Sequence, residues 1–217
     1  MEVNQMKKQA GFTLVEIAIV MVIIGLLLGG VLKGQEIITN AKIKNLENDF
    51  NGITAAIYSY QDRYRALPGD DPRAKRRFPK INNIEVPVST GNPGDGKIDG
   101  PFDETDNKEE SRIFWAHLRY AGLVNGEVDD FSQPLNAFSG ITGVSSNKST
   151  NSGSGSTPPP NISGVYIGFS NIPIKIAIAV ESRSDDQNSQ SGGIQTDSGG
   201  EEEYISITGE INLYFAL

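Results

Sequence analysis

The chain contains no cysteine and a single histidine. The first absence excludes disulfides, thiol nucleophiles and Cys-rich zinc sites. The second leaves no histidine metal triad, and a Ser-His-Asp arrangement would have to use His117. An excess of positive charge is also lacking: 19 Lys and Arg stand against 27 Asp and Glu, a formal net charge of -8. A general nucleic-acid binder carries the opposite balance. No catalytic carboxylate pair, nucleophile triad, phosphate-cradling Gly loop or HExxH pattern is present, so an enzyme has no residues to work with. The length of 217 residues allows one ordinary domain, or one domain with an appendage.

What is present is unevenly spread. Residues 1–11 are polar, with Lys7 and Lys8 near their end. From Phe12 to Leu32 the only charged residue is Glu16. As a helix this run is ~31 Å long, about one bilayer core. The two lysines mark the preceding side as cytoplasmic, so the rest of the chain would be exported; Lys33, Lys42 and Lys44 after the run make that asymmetry modest. A cleaved secretory signal needs a shorter apolar stretch followed by small residues, and this run has neither property. A plain membrane anchor fits the length but leaves Glu16 unexplained. A carboxylate at that depth costs about 3 kcal/mol unless it finds a partner, and so reads as functional.

The stretch Lys7-Lys8-Gln9-Ala10-Gly11-Phe12-Thr13-Leu14-Val15-Glu16 resembles the class III signal of type IV pilins and type II secretion pseudopilins. The resemblance is strongest over Gly11 to Leu32. It implies that a prepilin peptidase cuts after Gly11 and N-methylates Phe12. It implies that Glu16, the fifth mature residue, serves assembly. Cleavage before the apolar run leaves the hydrophobic helix on the mature protein. The new amine at Phe12 stays positive after methylation, and Glu16 of one subunit can meet the amine of a neighbour; such a buried pair sets register more than it adds stability. The family further implies identical or related subunits in a helical filament and an inner-membrane assembly platform with its ATPase.

Beyond Leu32 the pattern turns amphipathic. Ile43, Leu46, Phe50, Ile53, Ile57, Tyr60 and Tyr64 step by three or four, one face of a helix. One helix from Phe12 to about Tyr64 is expected, ended by Leu67-Pro68-Gly69 because the residue before proline leaves the helical region. Its stripe predicts packing on the chain's own head. Gly25, Gly29, Gly30 and Gly34 lie inside it, each costing ~1 kcal/mol relative to Ala. They serve either close helix packing or a segment that melts on assembly, and packing is preferred.

Three divisions follow: a cleaved leader 1–11, a long helix 12–65 whose apolar half 12–32 protrudes, and an exported head 66–217 with a Ser/Gly/Pro-rich loop at 145–160. In the head, Gly91 to Gly100 is Gly- and Asp-rich. Its oxygens at Asn92, Asp95, Asp99 and Asp103 suggest calcium, although the EF-hand spacing is not met: Gly91, Pro93 and Phe102 fall where an acid or amide belongs. A metal-free turn is the competing reading. Calcium is known in pseudopilin heads, so the resemblance admits it without assigning a ligand. Asp106 to Ala121 predicts a helix with a capping-box-like start at Asp106 and Glu109 and Gly122 as its stop; His117 on it is expected to be a surface or packed residue. Strand-like runs are Gly164–Ser170, Pro173–Val180 and Tyr204–Leu217, the last folded near Gly209. Ser184–Glu203 reads as a solvated acidic loop. Asn147 and Asn161 begin chance glycan-acceptor matches. Trp115 to Leu123 weakly resembles a head type common among bacterial pilin-like proteins.

The expected fold is therefore α+β, type IV pilin-like: a long N-terminal helix packed on an antiparallel sheet. The expected role is a structural subunit of a type IV pilus-like filament, not an enzyme. The alternatives are a type II secretion pseudopilin, and a minor pilin acting as adhesin or DNA-uptake module. DNA would need Arg73, Lys75, Arg76, Arg77 and Lys80, the one basic run in the head, and the acidic surroundings argue against it. The expected location is the inner membrane, single-pass with the N-terminus cytoplasmic, and then a pilus or periplasmic pseudopilus.

Overall fold

The computed structural model describes residues 13–81, 83–146, 161–186, 188–197 and 209–217. The leader, the cleavage pair Gly11 and Phe12, residues 147–160 of the expected loop, and Tyr204–Thr208 of the last expected strand run lie outside the described residues. The chain divides into two compact units, Met1–Ala41 and Lys42–Leu217.

The first unit is the beginning of helix α1 (Leu14–Tyr64). From Leu14 to Leu32 its side chains are apolar all round apart from Glu16, and none is covered: Leu14 is 90% exposed and Leu26 74%. Polar positions return at Lys33, Gln35 and Glu36. All four expected glycines are helical, and a Cβ built on any of them meets nothing within 4 Å.

The second unit takes up residues 42–64 of α1, where the stripe becomes a real interface. Ile43, Leu46, Ile53, Ala56, Ile57 and Tyr60 are buried, with Phe50 and Tyr64 packed alongside. The helix ends at Tyr64, as expected, where Arg65 takes a left-handed conformation (φ 53°). A single turn, α2 (Ala74–Arg77), follows, then α3 (Glu110–Tyr120). Helix α3 is shorter than expected at its start. Glu109 sits at the N-cap without a side-chain cap bond, and Asp106 instead turns back on Lys108, accepting its N–H at 3.0 Å. At its end Gly122 (φ 66°) does close the helix: the N–H groups of Leu123 and Gly122 return to the carbonyls of Leu118 and Arg119, a Schellman pair.

The sheet is four-stranded and wholly antiparallel, in the order β1 (Thr142–Ser145), β2 (Tyr166–Pro173), β4 (Glu210–Ala216), β3 (Ile194–Thr196). Side chains alternate across it. Ile167, Phe169, Leu213 and Phe215 join the core with the helices, whereas Tyr166 and Tyr214 face the other way onto Phe102 and Ile162. Phe102 plugs this second face so closely that only glycine fits beneath it. A Cβ on Gly168 would lie 2.6 Å from its ring, and one on Gly143 would overlap its carbonyl. The register slips between Phe169 and Ile172, where Asn171 adopts φ 59°, a bulge that bends β2.

Two expectations about the strands are corrected. Pro173–Val180 is not a strand: Pro173 ends β2 and caps helix α4 (Ile174–Ser184). The run of isoleucines at every second position also satisfies a helical face, since Ile176, Ala177, Val180 and Glu181 are the buried set while Ile178 is 39% exposed. Short apolar runs are ambiguous in this way. The acidic Ser184–Glu203 segment, read as loop throughout, contains edge strand β3, whose three residues are all buried. The α+β layout itself, a long N-terminal helix followed by a small antiparallel sheet, is the expected one.

Candidate functional site

At the N-terminus, Thr13 and Glu16 close the first turn of α1 on each other. The Thr13 N–H and Oγ1 both donate to Glu16 Oε2 at 2.8 Å, and Thr13 Oγ1 accepts the Glu16 N–H at 3.3 Å. This is a reciprocal capping box. It uses one oxygen of Glu16 and gives the carboxylate a fixed place at the positive end of a helix dipole. The apolar stretch behind it is long and hydropathic enough to cross a bilayer, with a mean hydropathy of 2.7 over its best window.

Residues 6–32 match the family model of the prokaryotic N-terminal methylation motif. The chain carries the signal of the type IV pilins and pseudopilins. The match covers the signal and the apolar run and stops before the head. No curated protein and no solved structure matches the chain. The pilin-type signal implies processing by prepilin peptidase and assembly with other pilins, and points to a structural subunit. With the apolar helix it also suggests membrane anchoring before assembly.

Within the head, the four candidate calcium ligands do not gather in one place. Asn92 is exposed. Asp103 lies toward the other face of the sheet, where its charge helps hold the phenols of Tyr166 and Tyr214 up, behind the larger effect of burial. Asp95 and Asp99 face a different group: Asp70 and Glu110, both buried and both unremarked in the sequence. Asp70 gathers the loop, accepting the N–H groups of Gly94, of Asp95 at 3.2 Å and of Gly96 at 2.8 Å. Asp99 is clamped to the first turn of α3. Its N–H donates to Glu110 Oε2 at 3.0 Å and its carbonyl accepts the Ser111 N–H at 2.9 Å. Glu110 Oε1 and Ser111 Oγ are buried without a partner. Burial, then the charges of Asp70, Asp99 and Asp95, push the Glu110 carboxyl up to about 7. Burial likewise raises Asp70, and raises Glu109 with help from Glu104, Asp106 and Asp99.

Glu110 did carry a signal in the sequence. It stands three and four residues before Ile113 and Phe114 and seven before His117, on the stripe that α3 buries. An acid on an apolar stripe is the kind of exception that marks a site. Asp70 had no such signal, because Pro68-Gly69-Asp70-Asp71-Pro72 has no periodicity.

His117 is fully buried and bound at both ring nitrogens. Nδ1 accepts the Gly69 N–H at 2.9 Å, so Nε2 carries the proton and donates to the Pro87 carbonyl at 2.8 Å. Burial lowers it to about 4, outweighing the Pro87 bond. It holds the turn after α1 against α3. Asp71 is a second buried anchor, accepting from Tyr60 Oη at 3.0 Å, from the Arg73 N–H at 2.9 Å and from Arg77.

Much of the basic run is thereby spoken for. Arg77 pairs with Asp71 and lies over the Tyr64 ring, and Lys80 and Lys75 reach Glu85 at 2.6 and 4.0 Å. The acidic segment that begins at Ser184 has its described aspartates satisfied from within. Asp185 Oδ2 accepts the Ile194 N–H at 2.6 Å, Asp186 accepts from Asn188 and Ser191, and Asp197 accepts twice from Asn212.

Proposed function

We propose that this chain is a structural subunit of a type IV pilus-like filament rather than an enzyme. In this reading prepilin peptidase cuts between Gly11 and Phe12 and methylates the new amine, and an inner-membrane platform draws the subunit from a single-pass state, head outward, into a helical array. The observation that carries the proposal is the direct join between the methylation signal at 6–32 and a helix whose apolar side chains have no cover. Uncovered side chains from Leu14 to Leu32 are stable only in lipid or against other helices. Glu16 suits assembly because its capping bonds occupy Oε2, leaving Oε1 to accept from a neighbour's amine. The size of the head, residues 66–217, favours a pilus subunit over the compact major pseudopilin.

Mass spectrometry of filaments sheared from the cell surface, beside the membrane fraction, tests this reading. Mature protein starting at methylated Phe12 should dominate the sheared material. Processed protein found only in the membrane fraction would replace the pilus with a pseudopilus or a minor subunit. Unprocessed protein in both fractions would remove the filament altogether.

A further inference from the structure

Two Asn–Gly pairs occur in the sequence, Asn51–Gly52 and Asn125–Gly126. The fold puts them in opposite settings. Asn51–Gly52 lies inside α1, where the Gly52 N–H belongs to the helix ladder and the helical backbone holds it away from its neighbour's side chain. Asn125–Gly126 lies in the segment between α3 and β1, and both residues are exposed. Neither the Asn125 carboxamide nor the Gly126 N–H makes a hydrogen bond among the described residues.

The step itself is free, yet the segment around it is fixed. Before it, the Leu123 N–H returns to the Leu118 carbonyl at 2.9 Å. After it, Val128 packs against the cluster of Ala74, Val86 and Tyr120. Arg119 donates from Nη1 to the Asp130 carbonyl and from Nη2 to the Ser132 carbonyl at 2.8 Å. Gly126 lies directly over this arginine: its φ is 129°, and a Cβ built on it would stand 2.6 Å from Arg119 Nε. Only glycine suits both that conformation and that approach. Glycine is also the residue that shields its own nitrogen least. The packing that requires Gly126 therefore leaves the Asn125 carboxamide beside an unhindered main-chain nitrogen.

We propose that Asn125–Gly126 is a site of spontaneous deamidation and main-chain rearrangement in the folded head. The Gly126 nitrogen gives its proton to hydroxide and attacks Asn125 Cγ. The new N–Cγ bond closes a cyclic imide, the Cγ–Nδ2 bond breaks, and ammonia leaves with a proton taken from water. Water then opens the imide. Attack at Cγ leaves aspartate at 125; attack at the Asn125 main-chain carbonyl carbon leaves isoaspartate, whose backbone runs through the former side chain. Water is the only co-reactant consumed, and nothing is oxidised or reduced. Either product adds a carboxylate next to the glycine that covers Arg119, whose Nε–H is buried without a partner. The reaction needs neither membrane nor neighbour, so it stands whether the filament is a pilus, a pseudopilus or neither.

The test is incubation of the full chain in detergent at mildly alkaline pH, followed by peptide mapping that separates asparagine, aspartate and isoaspartate at each position. Labelling by an isoaspartyl methyltransferase is the second readout. Asn125 should convert at least about tenfold faster than Asn51, because a helix amide must open before it can react. In urea the two pairs should convert at similar rates, since their chemistry is then the same. The rate at Asn125 should rise with pH, because the attacking nitrogen must lose its proton. Asn125→Gln should remove the conversion at that position, because the longer side chain closes its larger ring slowly. It should melt with the native chain, because the position is exposed. Equal rates at the two pairs in the folded chain would overturn the proposal. So would conversion of Asn125 only once urea is added, or isoaspartate labelling undiminished in Asn125→Gln.

Discussion

The two units of the chain spend the same helix in opposite ways. Up to Leu32, α1 is apolar on every side but for Glu16 and covers nothing; from Lys42 on, it is apolar on one side and buries most of that side. A helix that is hydrophobic all round belongs inside something larger, and one with a single stripe makes its own domain. The first unit therefore depends on an environment supplied from outside, and the second on contacts within its own chain. Substitutions of the same kind should have different consequences in the two.

The largest contrast is expected between two isoleucines. Ile57→Ala removes a fully buried side chain and should cost the head about 3 to 4 kcal/mol in chemical denaturation. Ile24→Ala, 45% exposed, should leave that transition unmoved and register in membrane retention. Equal losses would break the comparison. Acid should come next. His117 is held at about 4 in the folded head against ~6.5 unfolded, so the unfolded chain takes up the proton first. The His117 contribution is full above pH 6.5 and is lost as pH falls toward 4, by about 3 kcal/mol, while Glu110, held up at about 7, contributes with the opposite sign as pH falls below 7. Denaturant melts at stepped pH in a Glu110→Gln background should show the His117 fall, and adding His117→Gln, though weaker at pH 7, should flatten it.

Glycines sharpen the contrast further. Gly143→Ala drives a methyl into the Phe102 carbonyl and should destabilise the head by about 2 kcal/mol on thermal unfolding. Gly29→Ala meets nothing within 4 Å and should raise helicity in detergent by circular dichroism, consistent with ~1 kcal/mol of propensity. Smallest of all, Thr13→Val removes half of a capping box and should speed hydrogen exchange in the first turn alone.

The same contrast explains what could be read from the sequence. The apolar run, Glu16 and the stripe from Ile43 to Tyr64 state their roles in their own periodicity, and α1 follows them closely. The first turn of α3 starts later than its capping pattern predicts because a local competitor wins: Asp106 accepts the Lys108 N–H. The Pro173–Val180 segment is decided by distant contacts, since α4 uses Ile176 and Val180 against a sheet formed from other segments. Strand β3 is hidden for the same reason: Ile194, Gln195 and Thr196 pair only because Leu213, Tyr214 and Phe215 arrive beside them. Asp70 and Glu110 meet across a sequence gap that no local pattern spans, although Glu110 betrayed itself on an apolar stripe.

The strand order has a consequence in time. Strand β4 follows every other described strand in the chain, yet it lies between β2 and β3. Until Glu210–Ala216 arrives, β3 has no neighbour and β2 has one open side. Only the β1–β2 pair can form as the polypeptide emerges; the rest of the sheet waits for its last strand. A chain interrupted before that point presents an open β-edge and a bare core instead of a smaller head. Proteases and chaperones recognise such surfaces, so an incomplete head is the form of this chain most exposed to removal.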